Sequence, residues 1–581
     1  MAKCIYICSR QSLPVSIKGS LYGICKRLAP DNINMNEPKI MASEYAAFGI
    51  MNPTTPILEK GNSLLIGQIF DKPESWSLPL SEFPDGSYAL FRDGKEHFEI
   101  VSDPLASRTI WYYADENIVV TSTSQRAIVM YLESFEFDEN VVPWMLSTGT
   151  LGPVFSWDKR IKRVPADSSV ILDKMNWTLS VRSNPIEFNS VSRSDEMHEK
   201  VLTETIGNFF KSLDLDFDSW VLPLSGGYDS RGILCFLAKN RNIQHLKTVT
   251  WGLESSQQMQ GNDAYVAREL AATLNVSHRY YHTDLSKEPI ERIINRFVLL
   301  GEGRIDHVAA YMDGFEIWKT LFEEGIKGTI RGDESFGWLR TSSALGVKIS
   351  TGCALCSDYS NLKDYTKYGV AGQDAPQFLD RKNGETFAMW RDRLYQEYRI
   401  PTILSALSDL KLSYVEQISP FLSKKILYTV RQLPDRLRTE KKLFKKIVRA
   451  MSPKVGFATS SANAWVGDIF QEKRLVEFLK SELSSVDAKK LFTEEFLDFI
   501  LKGIKSETKE KNSKARSNSL RSYAKRYLPL FLIRAMRKVS PPVVDRNILA
   551  FRVFLIYKMN EILKEDSLIR KDFNSPEQKY Q

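Results

Sequence analysis

At 581 residues the chain is too long for one hydrophobic core, and roughly two to four domains are expected. A composition of 43% hydrophobic and 26% charged residues excludes the disordered and fibrous classes. The net charge of +8 is a mild basic excess that does not argue for a nucleic-acid partner. Six cysteines are too few for a disulfide scaffold. The opening MAKCIYICSRQ has no signal-peptide apolar run, and no apolar stretch reaches the ~18 residues of a membrane span. A cytoplasmic protein with no integral membrane segment is therefore expected.

Up to about residue 190 the chain reads as β-rich: SLLIGQIF, SYALFR, HFEIVS, TIWYY and IVVTST are short apolar or alternating runs divided by turn signals. Asp93-Gly94 is a hairpin turn, and VVPWML and SSVILD continue the strand pattern. From about 195 the texture changes. EMHEKVLTETIGNFFKSL has helical spacing, followed by strand SWVLPL, helix DSRGILCFLAKN, strand HLKTVTW, helix DAYVARELAATL and strand HRYYHT. Such alternation predicts a parallel sheet covered by helices. Helical patterns dominate from about 400, and the polar stretch 503–519 reads as an exposed loop.

The sharpest motif is Ser225-Gly226-Gly227-Tyr228-Asp229-Ser230, set between a strand and a helix. Two glycines let the backbone present its N–H groups to an anion, and the helix adds its positive N-terminal end. An acidic residue in a phosphate loop makes sense when a divalent cation bridges Asp229 to phosphate oxygens. The spacing is not that of a Walker A loop, whose lysine is absent.

SGGYDS resembles the pyrophosphate loop of N-type ATP pyrophosphatases, and the chain as a whole looks like the asparagine synthetase group, which includes β-lactam synthetases and lasso-peptide cyclases. The resemblance implies an α/β architecture. A degenerate, glutamine-amidotransferase-like (Ntn-hydrolase-like) β-sheet layer domain, 1–192, precedes an adenylating parallel-sheet domain with a helical C-terminal part, 193–581 (adenine nucleotide α-hydrolase-like). It further implies ATP and Mg²⁺ as cofactors, splitting of ATP to AMP and pyrophosphate, and an acyl-adenylate that an amine converts to an amide. By the same match Leu224, Ser225, Gly226, Gly227, Asp229, Ser230, Trp251 and Gly252 would bind the nucleotide. Asp333, in Gly332-Asp333-Glu334-Ser335-Phe336-Gly337, would be the second Mg²⁺ ligand beside Asp229. Lys441, after Ser419-Pro420-Phe421-Leu422, would stabilise charge on the α-phosphate and acyl oxygen; its neighbours Lys442, Lys445 and Lys446 leave the register open.

Two departures shape the expected activity. Glutamine-dependent members begin Met-Cys, whereas here Ala2 follows Met1 and Cys4 lies further in, so no working glutaminase is expected. The family's acceptor-site Glu, three residues before the second Mg²⁺ Asp, is Ile330, followed by Arg331; Glu302 and Asp306 are possible substitutes. The expected reaction is amide formation on a small-molecule or peptide carboxylate, with ring closure as its form and a partner protein as a source of the substrate. The rivals are ammonia- or glutamine-dependent amidation of aspartate or a sugar acid, and a non-catalytic ATP-binding protein. Cys353-x-x-Cys356, in STGCALCSDYS, lacks further zinc ligands nearby. His278 and His282 read as structural, and AKRYLPLFLIRAMRKV as more core than membrane-binding.

Overall fold

The computed structural model describes residues 3–53, 57–505 and 542–573. Residues 506–519 of the polar stretch and AKRYLPLFLIRAMRKV (524–539) lie outside them. In chain order the first strands are β1 (Cys4–Ser9), β2 (Lys39–Ala42), β3 (Ala46–Ile50), β4 (Ile57–Lys60), β5 (Ser63–Ile69) and β6 (Gly86–Asp93). They are followed by β7 (His97–Ser102), β8 (Trp111–Ala114), β9 (Ile118–Ser122), β10 (Lys162–Arg163), β11 (Ser168–Asp173) and β12 (Thr178–Ser183). Two antiparallel sheets result, in the orders β10-β8-β9-β1-β3-β2 and β12-β11-β7-β6-β5-β4.

The two sheets meet at Tyr6 of β1. Its ring stacks on Phe48 of its own sheet and on Phe91 and Phe98 of the other, at 5.8, 5.6 and 4.9 Å between centroids. The expected Asp93-Gly94 turn joins β6 to β7, closed by Gly94 N–H to the His97 carbonyl at 2.9 Å. VVPWML, expected as a strand, is instead the helix Val141–Thr148. The run is buried on every side, so its pattern carries no period to separate the two states. Pro143 falls in the first turn, where its missing N–H costs no hydrogen bond, and Gly149 (φ 70°) ends the helix.

The helix Asp195–Ser212, capped by Ser194, opens the second half. A five-stranded parallel sheet follows: β13 (Trp220–Pro223), β14 (Lys247–Gly252), β15 (Ser277–His282), β16 (Gly328–Ile330) and β17 (Glu416–Ile418), in the order β15-β14-β13-β16-β17. The helices Asp229–Asn240 and Asp263–Thr273 follow β13 and β14, as crossovers between parallel strands require. Helices then dominate, among them Ser405–Leu412, Lys442–Met451 and Arg546–Phe573. The last of these packs back on the helices Gln125–Leu132 and Val141–Thr148, where Arg126 grips Asp566 with Nε at 2.6 Å and Nη2 at 3.1 Å.

Candidate functional site

From β13 the chain runs outward to β14 and β15, then returns to β16 on the other side of β13. Loops that diverge in this way leave a crevice at the carboxyl ends of the strands. The segments after β13, β16 and β17 all carry residues singled out from the sequence.

In the loop after β13, Ser225 N–H donates to Ser230 Oγ (2.9 Å), and Gly227 N–H donates to Ser225 Oγ (3.3 Å). The two serine hydroxyls lie 3.1 Å apart. Gly226 is required sterically, since a Cβ there would sit 2.4 Å from the Cβ of Ala458. Leu224 is buried, its N–H bonded to the Val249 carbonyl at 2.8 Å. Trp251, half-buried at the end of β14, meets Trp318 edge-on at 5.5 Å. Gly252 leaves no room for a side chain: a Cβ would lie 2.6 Å from both Ala462 and the Tyr280 hydroxyl.

The charged centre is Lys441. Its Nζ lies 3.0 and 2.8 Å from the two Asp229 carboxylate oxygens and 2.8 Å from Glu334 Oε1. Of the four lysines, Lys441 is the one that turns to these carboxylates. Lys446 pairs with Glu199 on the outside, and Lys445 lies over the Tyr228 ring. Burial works to lower the pKa of Lys441, but Glu334 and Asp229 outweigh it and hold it above the usual lysine range. Burial pushes Glu334 up to about 7, against the pull of Lys441 and with the help of Asp229.

The expected partner of Asp229 was Asp333, but Glu334 is the carboxylate that shares Lys441 with it. Asp333 turns to Arg331 Nη2 (3.2 Å) and the Ser419 hydroxyl (3.3 Å). Burial opposes its ionisation, yet Arg331 prevails and holds Asp333 below the ordinary carboxylate range. Among the described residues no group of three or more His, Cys, Asp and Glu is placed to hold a metal by itself. Glu334 was missed in the sequence although it adjoins Asp333; Lys411, buried near Arg331 and Asp333, carried no sequence signal at all.

The other candidates lie elsewhere in the fold. Ile330 is buried in β16. Glu302 follows the end of the helix Ile290–Gly301 and binds Lys3 Nζ (3.0 Å) and Gln125 N–H (2.8 Å). Asp306 binds Arg552 Nε (2.6 Å) and His307 Nδ1 (2.9 Å). Cys353 and Cys356 are buried free thiols, and His278 is a half-buried strand residue bonded to Thr248. Cys4, buried in β1, donates its N–H to Thr123 Oγ1 (3.0 Å), and burial pushes its thiol up to about 12.

No helix among the described residues is long and apolar enough to cross a membrane. A comparison with curated proteins finds no match. Residues 221–309, from β13 to beyond the helix Ile290–Gly301, match the family described as asparagine synthase.

Proposed function

We propose that the protein activates a carboxylate with ATP and Mg²⁺ as an acyl-adenylate, then joins it to an amine, releasing AMP and pyrophosphate. Its asparagine synthase domain supports ATP-dependent amidation in general. The finer reading is carried by one observation: Lys441, Asp229 and Glu334 converge beside the glycine loop at the sheet's switch point. Ser225, Gly226, Gly227 and Ser230 offer backbone and hydroxyl donors to the phosphates, while Leu224, Trp251 and Gly252 lie against the adenosine. The two carboxylates already share one cation, the Lys441 ammonium, so the geometry suits a divalent ion. Asp229 supplies one ligand and the Asp333–Glu334 turn the other, and the ion neutralises triphosphate charge. Lys441, a fixed cation in a largely dry site, stabilises charge developing on the α-phosphate and acyl oxygen.

The N-terminal layer reads as a glutaminase-like domain without the activity. A thiol that burial inside β1 holds protonated is a poor nucleophile. The nitrogen then comes from the substrate's own amine or a separate donor, and ring closure fits that logic.

Nucleotide product analysis tests the reading. Purified protein is supplied with Mg·ATP and aspartate, with ammonium or glutamine, and AMP and asparagine are scored beside an Asp229→Ala control. Carboxylate-dependent AMP that the control loses is the expected result. Asparagine from ammonium but not from glutamine makes aspartate the acceptor. Silence with aspartate moves the search to amine-bearing peptides. ATP binding without AMP release from any carboxylate overturns the enzymatic reading.

A further inference from the structure

The helix Lys442–Met451 carries cations that the fold leaves without carboxylates. Lys445 and Arg449, one turn apart, line a cavity of about 450 Å³ together with Arg340, from the segment after the Asp333–Glu334 turn. Among the described residues none of these three lies within ion-pair distance of a carboxylate, whereas Arg436 on the same wall is held by Asp195. Two carboxylates share the lining: Asp435 is already paired with Arg438, and Glu440 stands outside ion-pair distance of all three cations. The cavity adjoins the glycine loop through Tyr228. Lys445 Nζ lies 5.4 Å and the Arg449 guanidinium 5.3 Å from the centre of its ring, and its hydroxyl accepts from Arg449 Nε at 2.8 Å. Phe457 stacks on that ring at 4.2 Å. On the other side Glu440 lines the cavity while the next residue, Lys441, reaches Asp229 in the site.

Adenylation concentrates charge on its leaving group. As the carboxylate oxygen bonds to the α-phosphorus, the bond from that phosphorus to the bridging oxygen breaks, and its electron pair leaves on pyrophosphate. The acyl-adenylate keeps a single negative charge, and the rest of the reactants' charge departs with the pyrophosphate. While that anion stays on the glycine loop, it is placed to attack the acyl-adenylate and re-form ATP. A cationic cavity beyond Tyr228 gives it a position from which it cannot. Resting on the adenylation reading above, we propose that Arg340, Lys445 and Arg449 form a second pyrophosphate site, which takes the product as it leaves the loop. The amine then meets an acyl-adenylate from which the reverse attack has been withdrawn. Two guanidinium forks from separate chain segments match the oxygens of two linked phosphates, and Lys445 adds a point charge between them and the loop. Arg340 and Arg449 are exposed, so the bound anion stays in contact with water and can exchange.

The test is calorimetric titration of inorganic pyrophosphate, with Mg²⁺, into the full chain after α,β-methylene-ATP has filled the glycine loop. The analogue is titrated first; its failure to bind counts against the adenylation reading, while pyrophosphate titrated into Asp229→Ala still decides the cavity. One pyrophosphate is expected to bind beside the analogue, and to bind Asp229→Ala as well. Lys445→Met and Arg340→Met should each weaken it by about tenfold or more, as for a lost charge-assisted bond, and leave the analogue's affinity intact. Lys446→Met, whose lysine serves Glu199, should bind pyrophosphate as the parent does, and equimolar sulfate at matched ionic strength should not displace it. Arg340 and Lys446 are exposed and Lys445 is half-buried, so the variants should melt with the parent. Exclusion of pyrophosphate once the analogue is bound, parental affinity in both Lys445→Met and Arg340→Met, or displacement by sulfate overturns the proposal.

Discussion

Lys441 reaches its carboxylates through an uncommon backbone. Glu440 (φ 61°) and Lys441 (φ 57°) are successive non-glycine residues in the left-handed region, a conformation that costs on the order of 1–3 kcal/mol each unless the surroundings enforce it. The helix Lys442–Met451 starts immediately afterwards, so the pair turns Lys441 inward while Lys442, Lys445 and Lys446 follow the helix outward. Lys442 and Lys445, with Arg340, Arg436 and Arg449, line a cavity of about 450 Å³ beside the site. If the inward lysine alone serves the chemistry, Lys441→Met should lower carboxylate-dependent AMP release by about 10²–10³-fold, the usual effect of removing one charge-stabilising group. Lys442→Met should stay within a few-fold of the parent. Steady-state rates at saturating ATP decide between them; equal losses in both variants would return the role to the helix face as a whole.

At the scale of elements, the glycine loop is held from above by residues 452–462. Arg231 bonds Ser452 Oγ (3.1 Å) and the Val455 carbonyl (2.9 Å) and stacks on Phe457 at 3.8 Å, while Ala458 N–H donates to the Gly226 carbonyl at 3.0 Å. Gly226→Ala would drive a methyl group against Ala458, and overpacking of this kind costs about 1–3 kcal/mol. A lower melting temperature together with weakened nucleotide binding, against an unchanged Gly227→Ala where the space is open to the Ser225 hydroxyl, is the expected pattern. The strand–loop–helix unit from Trp220 to Asn240 was legible because a fully apolar strand, two glycines and a helix with a long apolar run each carry a local signal. Val141–Thr148 was not, since burial on all sides erases period. Lys411 and Glu334 owe their places to partners about eighty and more than a hundred residues away along the chain, which spacing does not encode.

For the whole molecule, the decisive contact is the return of the helix Arg546–Phe573 to the N-terminal half. Arg552 bonds Asp306 at 2.6 Å and the Leu146 carbonyl at 2.8 Å, and Gly149 (φ 70°) gives way to the Asp306 carboxylate, which a Cβ would meet at 2.2 Å. Burial by itself would raise the pKa of Asp306, but Arg552 and His307 override it and bring it down to about 2. A carboxyl whose folded pKa lies below its unfolded value stabilises the fold when ionised, so this contribution is complete above about pH 4 and disappears as pH falls through about 2. A shift of this size corresponds to about 2 kcal/mol. Asp306→Asn should therefore lower the stability extracted from urea unfolding by about that amount at pH 7, with the difference between variant and parent closing as the pH is taken from about 4 toward 2. A difference independent of pH over that range would mean that the contact is held by shape, and that the charge on Asp306 contributes nothing to docking the final helix.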